Sequence, residues 1–344
     1  AEQLQQLDRQ LLDAMSRRAT LALELACDGG SDAIDPVAVA NWAADHNPGP
    51  LPTRAVQGVF RELASGIRAL AQPPRVAYLG PEYSYSHLAA IERFGTSAEL
   101  VPVANIAAVF EEIDQQQATY GLVPIENSTD GRIVDTLGMF AKLPLRICGE
   151  VQLRIHHCLL GKGPRAEIQE VLSKPQAISQ CRQWLAKHLP HARLVEISST
   201  TAAAQMAAEK PGVAAIASRQ AGVAYGLDLL AASIEDNVEN VTRFAVIGGE
   251  LPKRTGSDKT SLMFQISHRP GTLADVMAIF KRNKLNLTWI ESFPLAGSKA
   301  EYLFFVELEG HAADLKVRKA LASLTAKTVR LNVLGSYPKS TPAE

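Results

Sequence analysis

The chain has 344 residues, with 35 Lys or Arg against 36 Asp or Glu, so its formal net charge at pH 7 is −1. Its basic residues are scattered, and the lack of a basic run argues against a nucleic-acid or membrane-surface protein. No apolar run reaches the roughly 18 residues of a membrane-spanning helix, and the length predicts two or three domains.

The cysteines lack the paired spacing of metal ligands: Cys27, Cys148, Cys158 and Cys181. They lie mostly in apolar sequence, so we predict that they are small core residues in a reducing compartment. The amino terminus opens polar, without the pattern of a signal peptide. The sequence therefore predicts a cytoplasmic protein that needs no metal and no cofactor.

Residues 1–73 carry a helical pattern. Apolar residues recur at helical spacing over 2–27 and again over 53–71. The Asp35-Pro36 pair is suited to start a short helix between them, because proline fits the first helical turn, and the Pro/Gly segment at 47–50 interrupts the pattern. Three such helices bury little apolar surface alone, so we predict that this domain pairs with a second copy.

Residues 75–252 alternate between strand and helix patterns. Short apolar runs at 76–79, 121–125, 214–217 and 245–247 alternate with alanine-rich helical patterns such as 105–116 and 201–209. This order predicts an α/β fold with mainly parallel strands. An extended run at 145–160 and the return at 242–248 are expected to cross between two lobes, with a cleft between the lobes.

Residues 253–258 are polar and glycine-containing, as in a linker, and a compact unit is predicted at 259–338. Alternating apolar residues indicate strands near 262–266, 285–289, 302–308 and 329–333, and helical spacing occurs at 273–280 and 315–321. The resulting βαββαβ order predicts a ferredoxin-like fold.

Polar clusters lie at the ends of several of the predicted strands. One occupies 126–130, and another, Asn240 to Phe244, places a hydroxyl, a cation and an aromatic ring side by side on a strand. We expect these strand ends to line one cleft together with similar clusters, the candidate binding residues being Ser84, Tyr85, Ser86, Glu126, Asn127, Ser128, Thr129, Ser199 and Thr200. Such residues also cap helices, here one predicted to begin near Val134, and a helix amino terminus attracts an anion.

Together these segments resemble prephenate dehydratase. The matching pieces are those at 79–81, 84–87, 124–128, 173–177, 198–200 and 240–244. The resemblance extends into a chorismate-mutase-like helical segment before them and an ACT domain after them, as in bifunctional chorismate mutase/prephenate dehydratases. It implies two periplasmic-binding-protein-like lobes and a lyase that converts prephenate to phenylpyruvate, water and carbon dioxide in phenylalanine biosynthesis.

The resemblance also implies catalytic roles on the strand at 242–248. Thr242 is the candidate hydrogen-bond donor to the departing hydroxyl. Arg243 points to the opposite face of the strand, where it either contacts the substrate or pairs with a buried acid such as Glu126 or Glu239. Phe244 points with Thr242 and is either a wall of the site or part of the core, and core is favoured.

One loop departs from the family pattern. Tyr83 stands where the family usually has a glycine. If that position needs a positive φ, a tyrosine either costs conformational energy or reshapes the loop. We expect an effect on substrate preference rather than a loss of activity.

The mutase-like segment keeps the family's fold pattern but little of its chemistry. Arg18 is retained, whereas other charged or polar positions of the mutase motif fall at Gly29, Ala38, Val39, Ile67 and Ala71. A bound dianion would be an uncompensated buried charge in such a pocket. We therefore predict that residues 1–73 dimerise and have lost mutase activity.

Two motifs in the unit at 259–338 resemble those by which related dehydratases bind phenylalanine between paired ACT domains. The candidate effector residues are Gly271, Thr272, Leu273, Glu291 and Ser292, and Phe293 replaces the usual arginine. Amide groups at a helix start suit the carboxylate of an amino acid. The alternative is a purely dimerising unit, and the predicted assembly is a homodimer or homotetramer.

Other functions stay open. Arogenate dehydratase performs the same chemistry on an amino acid side chain, and the sequence does not separate the two substrates. A non-catalytic two-lobed ligand sensor is the alternative from another class. Thr242 argues against a sensor, and against a non-aromatising decarboxylase, because neither needs a donor at a leaving hydroxyl.

Overall fold

A computed structural model describes residues 1–28, 30–129, 131–294 and 302–343. The chain divides into two compact units, one made of residues 1–76 with 88–101, the other of residues 77–87 with the described chain from 102 onward. Gly29 of the mutase motif and Asp130 of the polar cluster at 126–130 lie outside the described residues.

The first unit contains the predicted amino-terminal helices. They are α1 (Glu2–Cys27), a 3₁₀ turn (Ser31–Ile34), α2 (Pro36–Asp45) and α3 (Thr53–Ala71). Asp35 caps α2 by accepting hydrogen bonds from the backbone N–H groups of Val37 and Ala38 at 3.0 Å, and it pairs with Arg93 at 2.8 Å. Burial alone would raise the pKa of the Asp35 carboxyl, but Arg93 and the helix N–H more than offset it, so the pKa is lowered.

Most of the apolar stripe of α1 lies at the surface of this unit. Leu4, Leu7, Leu11 and Leu25 are each more than half exposed. Next to the stripe lies a groove of about 660 Å³, lined by Met15, Gly58, Val59, Glu62, Leu63, Gly66, Ile67 and Leu70. The predicted helices are therefore confirmed, and among the described residues none covers most of the apolar stripe of α1.

The next segments supply most of the first sheet. In chain order they are β1 (Arg75–Leu79), α4 (Tyr85–Phe94), β2 (Glu99–Val103), α5 (Ile106–Asp114), β3 (Tyr120–Asn127), β4 (Gly131–Arg132), α6 (Val134–Lys142) and β5 (Ile147–Arg154). With β11 (Val241–Gly248) and β16 (Pro342–Ala343) they form a seven-stranded sheet in the order β16-β5-β11-β3-β1-β2, and β4 pairs with β3.

A second, five-stranded sheet has the order β10-β6-β9-β7-β8. Its elements in chain order are β6 (Cys158–Gly161), a 3₁₀ turn (Arg165–Glu167), β7 (Glu170–Ser173), α7 (Pro175–Gln180), α8 (Arg182–His188), β8 (Arg193–Glu196), α9 (Thr200–Glu209), β9 (Val213–Ala217), α10 (Arg219–Ala224) and β10 (Asp228–Ala231). The chain passes between the sheets at 155–157 and returns at 232–240. Residues 158–231, which build the second sheet, are what we term the second lobe. The crossing predicted at 145–160 is confirmed. The return was expected at 242–248 and is found just before that strand, at 232–240.

The expectation of mainly parallel strands is wrong. β11 runs antiparallel to both β3 and β5, and β6 runs antiparallel to both β9 and β10. Among the described pairings, β7 is parallel to β8 and β9, and β5 is parallel to β16. The reason is the crossing itself, because a strand that enters a sheet from the other lobe arrives against the direction of its neighbours. The fold is mixed α/β.

The carboxyl-terminal segment has the predicted β-α-β-β-α-β order. Its elements are β12 (Asp258–Gln265), α11 (Thr272–Arg282), β13 (Leu287–Pro294), β14 (Tyr302–Glu309), α12 (Leu315–Thr325) and β15 (Arg330–Pro338). The four strands form an antiparallel sheet in the order β13-β14-β12-β15.

One face of this four-stranded sheet packs on the first sheet. Met263, Phe305 and Tyr337 share a buried cluster with Phe140 of α6. At Gly335 of β15, a Cβ atom would lie 1.9 Å from the carbonyl oxygen of Ile147 on β5. Only glycine permits that approach, so the carboxyl-terminal sheet lies directly against the strand next to β11.

Candidate active site

The centre of the candidate site is a pair of side chains on neighbouring strands. Thr242 of β11 lies directly opposite Asn127 of β3. The Asn127 Nδ2 donates a hydrogen bond to the Thr242 Oγ1 at 2.8 Å, and Thr242 is 8% exposed. The two polar clusters that the sequence predicted to share a cleft therefore meet at these two residues.

The contacts of Asn127 fix which way its amide points. Its Oδ1 accepts the Thr129 backbone N–H at 2.9 Å, and its Nδ2 also donates to the Asn240 Oδ1 at 3.0 Å. The Thr242 oxygen must therefore act as acceptor toward Asn127, and a hydroxyl has only one proton to donate. No described residue accepts that proton, so the Thr242 O–H is available to an external acceptor.

A chain of hydrogen bonds continues from Asn240 toward the second lobe. The Asn240 Nδ2 donates to the Gln180 Oε1 at 3.1 Å, and the His157 Nε2 lies 2.9 Å from the same oxygen. Since Gln180 Oε1 can only accept, His157 Nε2 carries a proton and donates it. The His157 Nδ1 lies 2.9 Å from the Tyr85 hydroxyl. Thr242 is thus connected to Tyr85 by an unbroken series of side-chain hydrogen bonds.

The Tyr85 end of this series of hydrogen bonds is buried. The Tyr85 hydroxyl also lies 2.9 Å from the His156 carbonyl oxygen, and burial raises the pKa of Tyr85 well above its usual range. Glu235, itself buried, accepts from the His157 backbone N–H and lies 2.8 Å from the His156 Nδ1. The residues between the lobes are therefore held by a connected polar network.

Arg243 lies on the opposite face of β11. Its Nη1 donates to Glu126 of β3 at 2.7 Å, and its Nη2 donates to both oxygens of Glu307 on β14 at 2.7 Å. Glu150 of β5 lies 3.5 Å away. Of the two partners expected from the sequence, Glu126 is found and Glu239 pairs instead with Arg154.

The charges around Arg243 form a buried cluster. Lys259 of β12 pairs with Glu150 at 2.8 Å and lies 3.6 Å from Glu307. Burial alone would lower the pKa of Arg243, but Glu307 and Glu150 raise it well above its usual value. Burial alone would raise the pKa of Glu150, but Lys259 and Arg243 lower it. Sequence reasoning missed Glu150, Lys259 and Glu307, since a single charged residue on a strand carries no local signal of its partner.

The predictions made for the residues near Thr242 are confirmed in part. Phe244 is 1% exposed and belongs to the core, the alternative that was favoured. The Ser128 hydroxyl accepts the Val241 N–H at 2.9 Å and donates to the Glu239 carbonyl at 3.2 Å, which holds the start of β11. Helix α6 begins at Val134 as predicted, but the expected capping is wrong. The pairing of β3 with β4 separates the polar cluster from that helix, and the cap position has no side-chain hydrogen bond.

The other candidate binding residues lie at helix starts. Ser199 caps α9 by accepting the Ala202 N–H at 3.0 Å, and Thr200 is the first residue of that helix. The Ser84 hydroxyl accepts the His87 N–H at 3.3 Å, and Ser86 is buried in the first turn of α4. Among the described hydrogen bonds, those of these four residues do not join the Thr242 chain, whereas Tyr85 does.

Tyr83 adopts the left-handed conformation that its position was suspected to require, with φ +63°. Its N–H donates to the His87 Nδ1 at 3.0 Å, and its carbonyl oxygen accepts from Ser218 of the second lobe at 3.1 Å. Its ring packs edge-on against His87 and Tyr225. The loop therefore keeps its conformation, and packing offsets the backbone cost.

Of the five predicted effector residues, three line one pocket and two do not. Gly271 (φ +87°), Thr272 and Leu273 lie at the start of α11, in a pocket of about 290 Å³ that is also lined by Tyr302 and Phe304. Glu291 and Ser292 are not among its lining residues. Both are held by one side chain, since the Arg132 Nη1 donates to the Glu291 carboxylate and to the Ser292 carbonyl oxygen. Phe293 packs against the buried cluster of the first sheet.

Other sequence expectations concern metals, membranes and cysteines. Among the described residues, no three or more His, Cys, Asp or Glu side chains are placed to hold a metal ion, and no helix combines the length and apolarity needed to span a bilayer. Cys148, Cys158 and Cys181 are buried, and burial raises the pKa of the latter two. The expectation of a core position is wrong for Cys27, which is exposed near the end of α1.

Comparison with known proteins identifies close relatives. Residues 76–251 match the family model for prephenate dehydratase. The bifunctional chorismate mutase/prephenate dehydratase of Stutzerimonas stutzeri is 40% identical over 97% of this chain and 95% of its own length. That of Aquifex aeolicus is 41% identical over 85% of this chain and 81% of its own. The crystal structure of prephenate dehydratase from Arthrobacter aurescens in complex with L-Phe superposes with a TM-score of 0.72, at 33% identity, over 78% of this chain and 92% of that one.

Proposed function

We propose a catalytic role for the Thr242 hydroxyl in this chain, which belongs to the prephenate dehydratase family. A member of this family is a lyase that converts prephenate to phenylpyruvate in phenylalanine biosynthesis. The ring carboxylate leaves as carbon dioxide, and the electron pair of the broken C–C bond enters the ring. The ring hydroxyl leaves as hydroxide, which becomes water by taking up a proton, and the ring becomes aromatic.

The reaction needs a donor aimed at the departing oxygen, where negative charge develops. The single observation that supports Thr242 in this role is the hydrogen bond that it accepts from Asn127 at 2.8 Å. That bond occupies the hydroxyl oxygen and leaves the proton to point elsewhere. In our proposal the proton points at the leaving hydroxyl, and Asn127 and Asn240 orient it without touching the reacting bond.

The test compares Thr242→Val, which keeps the shape and removes the hydroxyl, with Thr242→Ser, which keeps the hydroxyl. Removing one aimed donor lowers kcat by about 10²- to 10³-fold, so we expect a loss of that order for the valine variant and a much smaller loss for the serine variant. Phenylpyruvate formation from prephenate measures both. A valine variant with the wild-type kcat would refute the role, and parallel runs with arogenate separate the two substrates.

In the same proposal, residues 75–252 are the dehydratase domain, built as two periplasmic-binding-protein-like lobes, and the substrate lies between them. The support is the chain passing twice between the two sheets and the polar network at those passages. The carboxylates of the substrate then meet the helix starts at Tyr85 and Thr200, where backbone N–H groups favour anions. Replacing Thr200 by Asp tests this placement, since an added carboxylate there should raise KM for prephenate more than it lowers kcat.

In our proposal, residues 1–73 have lost the chorismate mutase activity that the bifunctional relatives have in their names. The retained Arg18 donates to the Ala33 carbonyl oxygen at 3.2 Å, and its Nη1 has no partner among the described residues. The described groove next to α1 carries one charged lining residue, Glu62, which repels a dianion. Purified protein should therefore not turn over chorismate. A rate comparable with that of an ordinary mutase would refute the loss, which is assayed independently of the dehydratase.

The exposed leucines of α1 support pairing of this segment with a second copy, and thus a homodimer at least. We expect Leu7→Glu with Leu11→Glu to shift the sedimentation coefficient toward the monomer. The matched control is Glu2→Gln, a change on the same helix outside the leucine stripe. An unchanged sedimentation profile for the leucine variant would contradict pairing through α1.

Residues 259–338 are, in our proposal, an ACT domain that binds L-phenylalanine and inhibits the enzyme. The support is the pocket at Gly271, Thr272 and Leu273, where the amino end of α11 suits a carboxylate, together with the L-Phe bound by the Arthrobacter relative. Calorimetric titration with L-phenylalanine should release heat, and D-phenylalanine serves as the control. Neither heat nor inhibition of phenylpyruvate formation would remove the regulatory role.

A further inference from the structure

Two consecutive residues of β11 face different parts of the protein. Thr242 faces Asn127 and the polar network, while Arg243 faces the carboxyl-terminal sheet. Their partners on β3 are consecutive as well, since Thr242 lies opposite Asn127 and Arg243 opposite Glu126. The Thr242–Asn127 pair, proposed to perform the chemistry, is therefore adjacent in sequence on both strands to the Arg243–Glu126 pair, and Arg243 of that second pair is bound by Glu307 of the carboxyl-terminal sheet.

Glu307 is the contact from that unit. Its side chain is fully buried, and both of its oxygens lie 2.7 Å from the Arg243 Nη2. The hydroxyl groups of Ser261 and Tyr337 approach the Glu307 Oε1 at 3.4 and 3.3 Å. A buried carboxylate without a cation is strongly unfavourable, so Glu307 and Arg243 hold each other in one geometry.

The rest of the cluster leaves Arg243 few alternatives. Lys259 already pairs with Glu150, and the guanidinium carbon of Arg243 lies 5.6 Å from the centre of the Trp289 ring. The carboxyl-terminal unit thus contacts Arg243 with a carboxylate and with an aromatic face. Arg243 in turn holds Glu126, the residue next to Asn127.

We propose that Glu307 is a positioning residue for the dehydration, which acts through Arg243 and Glu126 on the Thr242–Asn127 pair. The inference rests on the proposed role of Thr242. A change at Glu307 moves β11 and β3 relative to each other at the point where the Asn127–Thr242 hydrogen bond forms. A misplacement of about 1 Å can cost on the order of 10²-fold in rate, so a buried charge of the carboxyl-terminal sheet controls the rate without contacting the substrate.

The experiment measures kcat and KM of the full-length enzyme with prephenate, at a temperature well below the unfolding midpoint of each variant. Glu307→Gln keeps the size of the side chain and removes its charge. The matched control is Glu309→Gln, the same change two residues along β14, at an exposed pair with Lys339. We expect Glu307→Gln to lower kcat by about 10- to 100-fold with little change in KM, and the control to leave both unchanged.

A double-mutant cycle separates positioning from a general loss of stability. If Glu307 acts through Arg243, the variants Arg243→Gln and Arg243→Gln/Glu307→Gln have the same kcat, because the second change removes a contact that is already gone. Losses that multiply would overturn the inference, as would a folded Glu307→Gln enzyme with the wild-type kcat.

If Glu307→Gln gives no soluble protein, Glu307→Asp takes its place, since it keeps the charge but withdraws it by one methylene. A folded Asp variant with the wild-type kcat would equally overturn the inference, and a lowered kcat at constant KM would support it. The proposed role of Thr242 is judged separately by Thr242→Val. An impaired Thr242→Val enzyme beside a fully active Glu307→Gln enzyme refutes only the positioning by Glu307.

Discussion

Replacing Asn127 by Asp reverses one hydrogen bond while it keeps the shape of the side chain. The Nδ2 that donates to Thr242 at 2.8 Å becomes a carboxylate oxygen, which can only accept. The Thr242 proton then turns toward residue 127 and away from the leaving hydroxyl. The same oxygen also faces the Asn240 Oδ1, 3.0 Å from the present Nδ2, so two acceptors oppose each other.

The size of the effect follows from the hydrogen bond that is lost at the reacting oxygen. A buried polar group left without its partner costs about 1 to 3 kcal/mol. Each 1.36 kcal/mol of barrier is tenfold in rate, so kcat should fall by about 5- to 150-fold at neutral pH. Asn127→Leu is the matched control, because it removes the amide without supplying an acceptor, and Thr242 keeps its freedom to rotate. We expect the order of kcat to be wild type, then Leu, then Asp.

Acidification provides the diagnostic measurement. Below the pKa of the introduced carboxyl, that group carries a proton and donates to Thr242 again, so the ratio of the kcat of the Asp variant to that of wild type should rise as the pH falls. The ratio for the Leu variant should stay constant. Phenylpyruvate formation is followed with an enzyme-free blank at each pH. An Asp variant more active than the Leu variant at neutral pH, or a ratio that does not rise on acidification, would refute the assigned direction of the hydrogen bond.

Three further predictions concern stability, each measured by urea unfolding. Tyr83→Gly should be more stable than Tyr83→Ala by about 1 kcal/mol, since both lose the ring and glycine alone is unstrained at φ +63°; equal midpoints would contradict this. Ser199→Ala should cost about 1 kcal/mol through the lost cap of α9, and an unchanged midpoint would count against it. Lys259→Met should cost about 3 to 5 kcal/mol at neutral pH by breaking a buried pair with Glu150. Because the pKa of Glu150 is lowered in the folded protein, its contribution is present above about pH 4.3 and lost as the pH falls through the lowered value, so the cost should shrink in acid; the same cost at acid and neutral pH would contradict the pairing.

Elements whose cause is local could be predicted from the sequence. The helices of 1–73 and the β-α-β-β-α-β order near the carboxyl terminus follow from apolar spacing, which each segment carries within itself. The start of α2 at the Asp35-Pro36 pair and the start of α6 at Val134 are equally local signals. The meeting of Asn127 with Thr242 was anticipated because polar residues lay at the ends of two separate strands.

Strand direction and polar pairing could not be read in this way. β11 looks like its neighbours in sequence, and its antiparallel direction is decided by the passage of the chain through the second lobe. Gln180, His157 and Glu307 are single polar residues whose partners lie 23 to 72 positions away. A periodicity or a short motif contains no information at such separations, so long-range polar contacts appear only in the folded chain.

The two faces of β11 differ in a way that suits different tasks. On the face of Thr242 the contacts are hydrogen bonds between neutral groups, each with a net worth of about 1 kcal/mol, which reorganise at low cost as a substrate replaces them. On the face of Arg243 the contacts are buried charges, and breaking such a pair costs about 3 to 5 kcal/mol. That face therefore does not adjust gradually. The carboxyl-terminal sheet reaches Arg243 through the Glu307 carboxylate and the Trp289 ring. Of these two contacts only Glu307 carries an opposite charge, so we expect the influence of this sheet on the proposed donor to depend mainly on Glu307.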